Sequence, residues 1–190
     1  MLSARRMPPR LGATPQPLTH QRSMQNSSLL MLLRIIHISA GIFWVGGVVV
    51  AGLFIMPAAR ATGASGQQVL MDIMLKRKLA TYLPVAAVLT TLAGLTLFWR
   101  NESLSGGVWA QSNMGKGMSF GAAAAILAAI AGMAIAAPSA KKLARSAAPG
   151  AEPLTPQQLA SLQRRAALGS QAAMVLLIVA TLAMAVSRYL

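Results

Sequence analysis

The chain has 190 residues, of which 55% are hydrophobic and only 11% charged. Soluble domains carry roughly a quarter charged residues, so this composition belongs to an integral membrane protein. Seventeen Lys and Arg stand against three acids, a net charge of +14, and cysteine is absent. The missing cysteine excludes disulfides, thiolate metal sites and cysteine nucleophiles. The cations flank apolar runs with no recognition motif between them, which suits anionic lipid head groups and not nucleic acid.

Residues 1–28 are rich in Pro, Arg and Ser/Thr. They lack the apolar core of a secretory signal and read as a disordered tail, or as sequence upstream of a true start at Met24. Asn26-Ser27-Ser28 offers a helix cap immediately before the first apolar run.

Four stretches are long enough to cross a bilayer, which takes about 20 helical residues. They run approximately over 29–57, 80–99, 118–137 and 168–187, and none contains Asp or Glu. Backbone groups must be paired inside lipid, so helices are the expected form. The fold class is therefore all-α, an antiparallel four-helix membrane bundle. Pro84, early in the second stretch, is expected to kink it. The third stretch carries Gly121, Ala125, Ala128, Gly132 and Ala136, small residues spaced for close helix approach and for self-association or docking to a membrane-complex partner.

Cations near the spans set orientation. Arg60, Lys76, Arg77 and Lys78 lie in connection 58–79, and Lys141, Lys142, Arg145, Arg164 and Arg165 in connection 138–167. The opposite side has Arg34, Arg100, Lys116 and Arg188 near the spans. Both connections are thus expected in the cytoplasm and both termini outside. Trp99, Trp109 and Tyr189 would mark the outer interface and Tyr82 the inner one.

The two basic connections resemble each other, as those of two related helical hairpins would. Each opens with proline and a cation (Pro57 to Arg60, Pro138 to Lys141) expected to end a span. Each then carries a capping-box pattern, Ser65/Gln68 and Thr155/Gln158, expected to start a helix that continues into the next span.

Chemistry concentrates at one position. His37 sits two to three turns into the first span, and an ionisable side chain at membrane depth is costly enough that a functional reading comes first. Helical spacing places Arg34, His37, Gly41 and Trp44 on one stripe. His37 is a candidate ligand for copper or for haem iron. The alternative is a neutral histidine that bridges two helices. Arg34 is either an interfacial cation or a clamp for an anionic group, and Trp44 either an aromatic wall beside a ligand or a packing residue. The other histidine, His20, lies in the tail, and Met56, Met133, Met174 and Met184 are among the sulfur donors within spans. No span carboxylate is available for acid/base work or a catalytic triad, so a binding protein is favoured over an enzyme.

The stretch Ile36-His37-Ile-Ser-Ala-Gly41-Ile-Phe-Trp44-Val-Gly-Gly47 resembles the first-helix signature of copper-resistance-protein-D-like membrane proteins. Residues 29–190 look more like a bacterial family of small four-helix proteins related to that group, through Trp44-Val-Gly46, Pro57 to Arg60, Lys76-Arg-Lys78 and Ala185 to Leu190. The resemblance implies a bacterial inner-membrane protein connected with copper handling or a haem-like site at His37. Longer members have further spans and histidines that this chain lacks, which separates it from copper transport as such. A non-catalytic accessory or assembly subunit is the competing reading.

Overall fold

The computed structural model describes residues 18–146, 150 and 154–190, with side chains from residue 27 onward. The described residues are helical apart from short turns, and they form seven α-helices. These are α1 (Leu18–Val50), α2 (Met56–Ala61), α3 (Gly63–Met71), α4 (Leu79–Leu104), α5 (Asn113–Ile130), α6 (Ala137–Ser146) and α7 (Pro156–Val186). Four continuous helical stretches are long and apolar enough to cross a membrane: Ser27–Ala61, Leu79–Leu104, Asn113–Ser146 and Pro156–Tyr189. The chain is a multi-pass, all-α membrane bundle.

The spans depart from expectation at their ends, and proline explains two of the cases. Pro57 and Pro138 do not stop their helices. In each, a π-helical turn precedes the proline, Ala51–Ile55 before α2 and Ala131–Ala136 before α6. The widened turns pass the Met56 N–H back to the Ala51 carbonyl and the Ala137 N–H back to Gly132. The wider turn makes room for a residue without an N–H, so the helix runs on beyond it. α4 is likewise continuous through Pro84. At the amino end, α1 begins at Leu18, so Asn26-Ser27-Ser28 lies inside the helix and does not cap it. Residues 1–17 of the expected tail fall outside the described residues.

Only one of the two expected capping boxes forms. Thr155 accepts the Gln158 N–H, Gln158 returns a bond to the Thr155 N–H, and Pro156 opens a helix that runs unbroken into the fourth span. Ser65 instead lies inside α3, whose N-cap is Thr62, and Gly63 with φ +62° makes the turn there. A π-turn over Asp72–Lys76 follows, then a break at Lys78 in the left-handed region, φ 58°. The two basic connections are therefore built differently.

Packing is tightest within two antiparallel hairpins, α1 against α4 and α5 against α7, which meet through looser α1–α7 and α4–α5 contacts. Glycine lets the backbones close. Gly121 sits under Met184 and the Ala180 carbonyl, and Gly169 rests on the π-turn at Ala131 and Ala136. At the centre, Trp44 packs with Ala86, Ala87, Ala128, Ala129 and Leu177, so one layer draws on all four spans. A single indole surrounded by alanines fills the space that narrow helices leave between them.

Candidate functional site

Two turns before Trp44 on α1 and one turn beyond Ala86 and Ala87 on α4, the first and second spans are joined by polar contacts. His37 Nδ1 lies 2.7 Å from the Thr90 carbonyl oxygen. The Thr90 hydroxyl donates to the His37 carbonyl at 2.7 Å, and its oxygen lies 3.2 Å from Nδ1. A carbonyl only accepts, so Nδ1 carries the proton, and the Thr90 hydroxyl proton is already committed to the His37 backbone. In the neutral ring Nε2 is then the bare nitrogen, and it has no hydrogen-bond partner among the described residues.

Local sequence makes the geometry possible. A methyl carbon on Gly94 would fall 2.7 Å from His37 Cε1 and 2.8 Å from Nδ1, so the imidazole rests against bare backbone. A methyl on Gly41 would lie 3.2 Å from the Thr90 Oγ1. Gly47 continues the seam, closing on Leu83. Thr90 is buried and His37 half-buried, so the tie lies in the seam between the two helices.

The sequence stripe maps onto this site unequally. His37 and Gly41 both meet Thr90. Trp44, 6% exposed, belongs to the central layer, which is the packing role. Arg34 is exposed at the end of the hairpin. Thr90 and Gly94 were not singled out from sequence. Neither stands out in a span that also carries Thr91 and Thr96.

A closed metal cage does not fit. The described residues contain no group of three His, Cys, Asp or Glu side chains able to hold an ion. The Met174 sulfur packs at Gly52, about 22 Å of helix away from His37, and Met184 packs against Gly121 on the other hairpin. A single imidazole with its Nδ1–H anchored on a carbonyl would offer Nε2 as one ligand, because metal-ligating histidines are oriented by a bond of this kind. No protein-family model, curated protein or solved structure matches this chain.

Proposed function

We propose that this chain is a bacterial inner-membrane binding protein that takes copper or the iron of a haem on His37 Nε2. The observation that carries the reading is the 2.7 Å contact from His37 Nδ1 to the Thr90 carbonyl, which fixes the tautomer and aims the other nitrogen away. The remaining ligands come from outside one chain, from a second copy or from a membrane partner. Both basic connections face the cytoplasm and both termini the opposite side, by the bias of Arg and Lys. The likeness of the His37 to Gly47 stretch to copper-resistance-protein-D-like proteins supports the choice of metal.

A second reading has its own support. The reciprocal His37–Thr90 bonds already pair four polar groups between two helices, as a purely structural tie in an accessory subunit would. One experiment separates the two. The protein is purified in mild detergent, and its optical spectrum and metal content are measured beside His37→Ala. A Soret band or stoichiometric copper that disappears in the variant supports the ligand. A colourless, metal-free wild type that co-purifies with another membrane protein assigns His37 to the tie.

A further inference from the structure

Among the described residues, the buried side-chain polar atom without a hydrogen-bond partner is Arg100 Nε. A guanidinium is always charged and presents five N–H donors, so an unmet donor beside lipid marks a place that a ligand can complete. Arg100 lies one heptad beyond Ala93, which lies one heptad beyond Ala86, and both alanines are buried. Its stem therefore continues the inward stripe of α4 to the end of the span.

The helix register brings a second guanidinium to a similar depth. His37 meets Thr90 and Gly94, and Gly47 meets Leu83, so α1 and α4 run antiparallel with a fixed offset. Extended upward, that offset sets Arg34 level with Thr96 and puts Arg100 within about one helical turn of it in depth. Among the described residues, no carboxylate pairs with either arginine. Glu102 Oε2 accepts the Ala110 N–H at 2.8 Å, and Asp72 pairs with Lys76 and Arg77 at the opposite end of α4. On the same stretches of α1 and α4, Leu29 and Leu32 are each 52% exposed and Trp99 is 71% exposed. This is an apolar collar with an interfacial aromatic, as an acyl-chain amphiphile needs.

We propose that Arg100 and Arg34 form a phosphate site at this end of the first hairpin, occupied by the head group of an anionic phospholipid. Guanidinium recognises phosphate through parallel N–H donors, and the exposed leucines hold the chains below it. The site is independent of any metal on His37 and stands or falls separately.

Native mass spectrometry of the full chain in mild detergent tests it, with phosphatidylglycerol, phosphatidylcholine and inorganic phosphate as probes. One phosphatidylglycerol should be retained in preference to phosphatidylcholine by about tenfold, the scale of a charge-assisted bidentate contact. Arg100→Gln should abolish that preference, Arg100→Lys should keep part of it, and Arg77→Gln at the far end should leave it intact. Arg34→Gln, at an exposed position whose loss does not disturb packing, should weaken it even if Arg100→Gln misfolds. Equal retention of the two lipids, or a preference that survives both Gln variants, overturns the site. Displacement of the lipid by inorganic phosphate overturns the lipid assignment in favour of the free ion.

Discussion

His37 and Thr90 exchange hydrogen bonds in both directions, side chain to backbone each way, across the first hairpin. The two bonds are not equivalent under mutation. Thr90→Val removes the hydroxyl but leaves the carbonyl that anchors Nδ1. His37→Ala removes the ring and leaves the Thr90 hydroxyl still bonded to the residue-37 backbone. Interhelical hydrogen bonds in membranes contribute on average about 0.6 kcal/mol and at most about 1.7. Thr90→Val should therefore destabilise the bundle by about 1 kcal/mol while keeping any cofactor signal, whereas His37→Ala should lose that signal entirely. Reversible unfolding in mixed micelles, run as a double-mutant cycle, gives the coupling. Because each bond runs to the other residue's backbone, the two effects should be close to additive, and a Thr90→Val protein as stable as the wild type would refute the tie.

Gly94 makes a sharper test because its role is spatial. A methyl carbon there meets the imidazole at 2.7 Å, so Gly94→Ala must push the ring off its carbonyl anchor or spread the helices. Gly46→Ala is the control, since a methyl at that position meets nothing within 4 Å. Gly94→Ala should cost about 1–3 kcal/mol, in the range of overpacking, and should shift any absorption spectrum that depends on His37. Gly46→Ala should change neither stability nor spectrum. Equal behaviour of the two glycine variants would mean that the ring is not seated on Gly94.

The four spans, their order and the polar importance of His37 were legible from sequence because long apolar runs and a lone intramembrane histidine are local signals. Three features were not. Pro57 and Pro138 read as helix stops, yet widened turns absorbed them, and such turns depend on neighbours that hold the bent helix in place. Ser65/Gln68 and Thr155/Gln158 read alike, but Gly63 allowed the turn before α3 to close earlier. Thr90 and Gly94 carried no signal of their own, since their roles exist only once α4 lies beside α1. Trp44 lay on the correct stripe but turned out to belong to the packed layer with Ala87 and Ala128.

The second hairpin depends on glycine in the same way, with backbone and not a ring as the opposing surface. A methyl carbon on Gly169 falls 2.9 Å from the Ala136 nitrogen and 3.0 Å from the Ala131 oxygen, both in the π-turn of the third span. Backbone cannot swing aside as a side chain can, so Gly169→Ala should separate α7 from the turn. Its cost should exceed that of Gly132→Ala, where the methyl would have 3.9 Å of clearance from the Ala173 Cβ. Amide hydrogen exchange should rise across Ala131–Ala136 in the Gly169 variant only. Unchanged protection there would mean that the π-turn does not rely on α7.

The connection between the first two spans should respond to acid, and the sign follows from Asp72. Its carboxylate accepts from Lys76, 3.2 Å away, and from Arg77 at 3.4 Å. The Lys76 hydrogen bond acts most strongly and, with the weaker Arg77 bond and the charges of both cations, holds the Asp72 pKa below the usual carboxylate value against desolvation, which ranks second and opposes it. A depressed folded-state pKa means that the contribution is present above the unfolded carboxylate value and is lost as pH falls through the folded one. Both cations are largely exposed, at 82% and 79% of their side-chain surface, so solvent screens the pair and its effect is local. Between neutral pH and about pH 3, below the ordinary carboxylate range, amide protection relative to the intrinsic exchange rate should fall over Asp72–Lys76 while the spans stay protected. Asp72→Asn should reproduce that loosening at neutral pH and abolish the acid response. An acid response that persists in Asp72→Asn would place its origin in another group.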